Sequence, residues 1–300
     1  MRWDGNRESD NVEDHRDESG GGGGGGGFGF GGRSIGIGTI VVALIGGWVL
    51  GVNPLTILGL LSGGGGGGAP VQVSEQQHRP RQHSASEERE FKLVKVVLAD
   101  TEDVWTDLFR RNGGTYQMPK LDVFSGSYPT ACGMGRSATG PFYCPGDRKV
   151  YIDLDFFRLM EQRFHAPGEF AQAYVVAHEV GHHVQNLMGI SDKVHNAQRN
   201  ASERQGNALS VRLELQADCF AGVWAFHANR ARSIIEKGDV EAALNAATAI
   251  GDDTLQKQAG GDVMPDSFTH GSSAQRVRWF TRGLESGEIG QCNTFEARQL

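Results

Sequence analysis

Residues 170–188 read FAQAYVVAHEVGHHVQNLM, with Gly189 placed to cap the C-terminal end of a helix. Tyr174, Val175, Val176, Val180 and Val184 recur at helical spacing, which predicts a helix sunk in an apolar core. His178 and His182 then lie four residues apart on one face, so both imidazoles reach a single ion. Glu179 is displaced around the helix yet can approach a metal-bound water from the open side. The pattern H-E-x-x-H therefore points to metal-assisted hydrolysis, with zinc as the metal that best suits these donors. Gly181 is small enough to admit a second helix at close range.

A catalytic zinc takes three protein ligands and keeps one position open, so a third ligand must come from elsewhere. The candidates are His195, Glu214, Asp218, His227 and His270. A capping signal at Asn200-Ala-Ser-Glu203 predicts a long helix running to about Ala231. On it Glu214 and Asp218 share a face with Ala217, Ala221 and Ala225. Two carboxylates on an alanine-lined contact are costly to bury unless something cationic lies opposite, and zinc with its histidines supplies that partner. Glu214 is assigned as the third ligand and Asp218 as the acceptor that fixes the tautomer of a ligand histidine. His183 points to a different face and suits a hydrogen-bonding or surface role. His15, His78, His83 and His165 fall in tails or loops.

Outside this centre the chain is unevenly built. Of 300 residues, 22% are charged and the net charge is −7, a balance that argues against nucleic acid as a partner. Residues 1–34 combine a charge-dense opening with a glycine tract, and are expected to be disordered. From Ile35 the sequence IGIGTIVVALIGGWVLGV runs without a charge to Val52, and after Asn53-Pro54 it resumes as LTILGLL to Leu61. Eighteen helical residues span about 27 Å, so residues 35–61 are expected to hold one transmembrane helix. Arg33 before it, and no Lys or Arg after it until Arg79, favour a cytoplasmic N-terminus with the bulk of the chain outside. Residues 62–90 read as a flexible linker and residues 91–300 as the globular domain.

Within the domain, Val94 to Phe109 has helical periodicity ended by Asn112-Gly, and Val150 to Leu154 alternates as a strand. Ser272 and Gln275 form a capping box opening a last helix to about Arg282. Cys132, Cys144, Cys219 and Cys292 all follow the apolar stretch, an even count that suits two disulfides in an oxidising compartment. Pairing Cys132 with Cys144 and Cys219 with Cys292 is one of three possible connectivities, and sequence selects none of them.

His178-Glu179-x-x-His182 followed by Leu213-Glu-Leu-Gln-Ala-Asp218 resembles the gluzincin pattern. The closer resemblance is to the bacterial neutral zinc metallopeptidase family. It extends over Phe91 to Phe280, including TACGMGRSATGPFYCPGDRKVYIDLDFF before the motif helix and FTHGSSAQRVRWF after it. The charged, glycine-rich N-terminal segment and single apolar span also resemble that family. The resemblance implies a mostly helical α+β fold: a zincin-like metallopeptidase domain with a small β-sheet, preceded by one transmembrane helix. It implies a membrane-anchored, zinc-dependent hydrolase, with His270 donating to the oxyanion and Arg276 holding a neighbouring carboxylate. Gly271 follows His270 where some relatives carry Pro.

The leading expectation is peptide-bond hydrolysis by a Glu179-activated, zinc-bound water, with an extended substrate laid along a strand such as Val150 to Leu154. A catalytically silent, zinc-stabilised binding module on the cell surface and a zinc amidase acting on cell-envelope polymers are the alternatives. The expected partners are a peptide or protein substrate and the bacterial inner membrane, with the domain on the periplasmic or extracellular side. The oligomeric state is left open.

Overall fold

A computed structural model describes residues 1–18, 82–136, 140–162, 167–258 and 263–300. They form a mostly helical α+β fold with a small sheet. The sheet has the order β1 (Val12–His15), β2 (Lys120–Phe124), β6 (Lys149–Asp153), β5 (Phe142–Cys144). The first three strands run parallel, and β5 lies antiparallel to β6. A separate hairpin joins β3 (Ser127–Thr130) to β4 (Gly133–Arg136).

The helices are α1 (Ala85–Arg111), α2 (Asp155–Gln162), α3 (Glu169–Leu187), α4 (Ile190–Gln198), α5 (Glu203–Arg232), α6 (Asp239–Ala249), α7 (Asp252–Gln258) and α8 (Ser273–Ser286). The core between sheet and helices holds Trp105, Phe170, Tyr174, Phe220, Trp224, Trp279 and Phe280, each at 1% exposure or less. Helix α3 is therefore buried nearly all round, and this fixes its histidines rigidly.

Two close helix contacts position the site. A Cβ on Gly181 of α3 would stand 3.0 Å from the Ala217 carbonyl oxygen, so the small residue lets α3 cross α5 almost backbone to backbone. Gly222 of α5 and Gly283 of α8 face each other's backbones so closely that a Cβ on either would overlap main-chain atoms opposite. The disulfide Cys219–Cys292 ties α5 to the C-terminal segment, and Cys132–Cys144 ties the β3–β4 turn to β5.

The structure corrects the expected tail. Residues 1–18 belong to the fold: Val12 to His15 pair with Leu121 to Phe124, and Trp3 is 2% exposed. The charges that made this segment look disordered are satisfied by the domain. Arg7 reaches Glu102 at 3.0 Å, Ser9 and Asn11 donate to the other oxygen of Glu102, and the Met1 amine lies between Glu236 and Asp239.

The expected linker also ends early, because α1 starts at Ala85, where the Ser84 hydroxyl caps the Glu87 N–H. The cap of α5 is a Ser202–Gln205 box rather than one opening at Asn200. The strand expected at Val150 to Leu154 is β6, Lys149–Asp153, and it is central: it pairs along its length with β2 and through Lys149 to Tyr151 with β5, rather than standing at the edge of the sheet. Among the described residues no helix is long and apolar enough to cross a membrane. The expected transmembrane stretch, 35–61, and the linker from 62 to 81 lie outside the described residues.

Candidate metal centre

The motif helix α3 and helix α5 bring three ligand atoms together. His178 Nε2 lies 3.2 Å from His182 Nε2 and 3.2 Å from Glu214 Oε2, and His182 Nε2 lies 3.4 Å from Glu214 Oε1. Zinc–ligand bonds of about 2.0–2.1 Å in a tetrahedron separate neighbouring ligands by roughly 3.3–3.4 Å. The donor set thus fits a tetrahedral cation with three protein ligands.

Each imidazole is turned to present Nε2. Asp218, whose carboxylate can only accept, takes the Nδ1–H of His178 at 2.8 Å, which leaves the Nε2 lone pair facing the cluster. Gln185 does the same for His182. Its amide nitrogen donates to the Leu213 carbonyl at 2.7 Å and to Gln216 at 3.2 Å, so its oxygen faces His182 Nδ1 at 2.9 Å.

Asp218 is held in turn by Arg276 from α8 and by the Tyr174 hydroxyl, which donates at 2.5 Å. Burial alone pushes the Asp218 carboxyl up, but the charges of Arg276 and His178 and their hydrogen bonds hold it at about 2. Burial likewise works against Glu214 ionising, and the His182 and His178 imidazoles overcome it and hold its carboxyl well below the usual range. A buried carboxylate, Asp218, and a half-buried one, Glu214, face two imidazoles and one guanidinium, so the pocket is electrostatically prepared for a cation.

Glu179 follows His178 on the buried helix at 7% exposure; against burial, the charge and hydrogen bond of Glu214 raise the pKa of His182, and Glu179 adds to that. His270 lies in the loop before α8, its side chain half exposed. Asp252 anchors that loop: one carboxylate oxygen accepts the backbone N–H groups of Thr269, His270 and Gly271, and the other lies 3.2 Å from His270 Nδ1. The Asp252 hydrogen bond raises the His270 pKa above its ordinary value against burial, and the charge of Glu214 adds to the shift.

The remaining histidines stand apart. His183 is fully buried on another face of α3, between the Gln117 carbonyl at 2.6 Å and the Tyr143 hydroxyl at 3.1 Å, and burial pushes its imidazole down to about 4. His195 is exposed on α4, and His227 bonds the Gly287 carbonyl at 2.8 Å. A second group, Glu13, His15 and Asp122, also clusters, but the Lys149 ammonium already bridges its carboxylates at 2.7 and 3.1 Å.

Sequence reasoning missed Tyr174, Gln185 and Asp252. Tyr174 stands one turn before His178 and Gln185 three residues after His182, so helical spacing alone could have nominated both. Asp252 lies eighteen residues before His270, a separation that carries no signal.

The model of the family described as "Putative neutral zinc metallopeptidase" matches residues 1–295. The chain belongs to that family. The "Uncharacterized protein YpfJ" of Escherichia coli K12 is 51% identical over 297 residues, covering 98% of this chain and 99% of its own. The "Uncharacterized protein Rv2575" of Mycobacterium tuberculosis H37Rv is 45% identical over 195 residues, 62% of this chain and 65% of its own. No solved structure matches the chain. The match to the zinc metallopeptidase family starts at residue 1, so it takes in strand β1 as well as the ligand cluster. The family's description implies zinc and a hydrolytic activity, and His178, His182 and Glu214 are a donor set of the right chemistry for that ion.

Proposed function

We propose that this protein is a zinc-dependent metallopeptidase that hydrolyses peptide bonds, with His178, His182 and Glu214 holding the ion. The observation that carries this reading is the convergence of three donor atoms at 3.2–3.4 Å from one another, two of them from the helix turn that carries Glu179. When bound, zinc supplies the Lewis acidity that makes water nucleophilic near neutral pH and polarises the scissile carbonyl.

The protein's own groups do the rest. Glu179 takes the proton of the attacking water and passes it to the leaving amine. His270, held by Asp252 at 3.2 Å, donates to the carbonyl oxygen as negative charge builds on it. Asp218 and Gln185 keep the ligand imidazoles in the tautomer that binds a metal, and Arg276 keeps Asp218 ionised. Strand β5 pairs only with β6 among the described residues, so its other edge is the one that suits an extended peptide.

A purely structural zinc site closes with a fourth protein ligand, whereas this cluster has three among the described residues, which favours the enzyme over the silent binding module. Attachment to the bacterial inner membrane through residues 35–61, with the domain on its outer side, is supported by the uncharged apolar run and by the two disulfides.

The test is metal analysis of the full-length protein beside Glu214→Ala, with cleavage of an unfolded protein substrate. The wild type should carry one zinc per chain and cleave in a chelator-sensitive way, and the variant should lose both. Stoichiometric zinc without any cleavage would sink the peptidase reading and shift weight to a binding module or to an amidase with a non-peptide substrate.

A further inference from the structure

Residues 1–18 are built into the domain at several separate points. The Met1 amine pairs with Glu236 at 2.9 Å and Asp239 at 3.0 Å, the Met1 side chain is buried, and the Arg2 N–H bonds the Ile234 carbonyl at 2.8 Å. Trp3 is buried, donates to Glu169 of α3 at 2.7 Å and lies under the Arg89 guanidinium of α1 at 4.8 Å. Arg7, Ser9 and Asn11 converge on the buried carboxylate of Glu102. Strand β1 then adds to the sheet beside β2, the register running from Val12↔Leu121 to His15↔Phe124. The opening of the chain therefore touches α1, α3, β2 and the segment leading into α6.

We infer that residues 1–18 and residues 82–300 lie on the same side of the membrane, so that this is not a single-pass protein. Paired strands stand about 4.8 Å apart, whereas the hydrocarbon core of a bilayer is about 30 Å thick, so no ladder forms across it. Whatever the chain does between Glu18 and Gln82, it makes an even number of crossings.

The apolar run Ile35 to Leu61 is 27 residues long. One helical crossing takes about 20 residues and two take about 40, so this length is short of the pair that parity would demand. Residues 1–18 and 82–300 therefore share one face of the membrane. This replaces the arrangement in which the N-terminus stays cytoplasmic while the domain lies outside. It rests on the membrane attachment proposed above only for its meaning in the cell, and fractionation tests that attachment separately.

The experiment places one cysteine at a time in the full-length chain, at the exposed positions Asp10 and Gln299, as Asp10→Cys and Gln299→Cys. Spheroplasts of a Gram-negative host are treated with a membrane-impermeant maleimide, intact and after lysis, with the unmodified chain as the blank. The ratio of intact to lysed labelling should be the same for the two positions. Labelling of both outside, or of neither until lysis, supports the inference. Labelling of one in intact spheroplasts and of the other only after lysis overturns it. Carbonate extraction of the same cells reports whether the protein is membrane-bound, and a soluble result removes the attachment while the sidedness is still read from the labels.

Discussion

Arg276 meets Asp218 side on: Nε donates to Oδ2 at 2.9 Å and Nη2 to Oδ1 at 2.9 Å, with both side chains at 3% exposure or less. The same Oδ1 accepts the Nδ1–H of His178 at 2.8 Å, so a guanidinium on the last helix reaches the candidate metal through one carboxylate and one imidazole. Removing one partner of such a pair leaves a buried charge uncompensated. Arg276→Ala should cost about 3–5 kcal/mol of stability, read by denaturant unfolding, and should weaken zinc binding with it. A loss below about 1 kcal/mol, the range of surface ion pairs, would show that the pair carries no such burden.

Gln185 sets the tautomer of His182 through the amide orientation fixed by Leu213 and Gln216. Gln185→Leu keeps the volume and removes the acceptor. Zinc affinity should fall by about 10–100-fold, measured by competition with a chelator of known affinity. An unchanged affinity would remove Gln185 from the account.

The Asp252–His270 pair predicts a pH dependence. The hydrogen bond to Asp252 raises the folded-state pKa of His270 above its ordinary value of 6.5. The stabilisation is fully present below 6.5 and is lost as pH rises through the raised pKa. Burial opposes the ionisation of Asp252, but its hydrogen bonds from His270 and the loop lower its carboxyl below 3.8. That contribution is present above 3.8 and is lost as pH falls through the lowered value. If protonated His270 is the oxyanion donor, kcat falls on the alkaline side, and Asp252→Asn should move that limb to lower pH. A limb that stays in place in the variant would separate His270 from the chemistry.

Trp3 anchors the opening of the chain at 2% exposure. Trp3→Ala should cost about 3–5 kcal/mol, as for other buried aromatic truncations, and should make residues 1–18 sensitive to protease. A disordered tail would show neither effect.

The centre of the site was legible because its spacing is local. His178, Glu179 and His182 share one helix, Glu214 and Asp218 another, and each pattern closes within a turn. The disulfides were legible only as a set of alternatives, and the fold chose among them by bringing Cys219 beside Cys292 across 73 residues. The opening strand was not legible for a related reason. The charges leading into it look solvated in one dimension, and the groups that hold this segment, Glu102 for Arg7 and Glu169 for the Trp3 indole N–H, lie 95 and 166 residues away. Strand Val150 to Leu154 was found but misplaced in role, because whether a strand is central or at an edge depends on neighbours its own sequence does not encode.

The most direct test of the peptidase account is zinc content and proteolysis of the full-length protein beside Glu179→Gln, on an unfolded protein substrate with and without chelator. The account predicts near-stoichiometric zinc in both forms, with cleavage by the wild type lost in the variant by about 100-fold or more. Undiminished chelator-sensitive cleavage by Glu179→Gln would contradict it, because the group assigned to move the proton would then be dispensable.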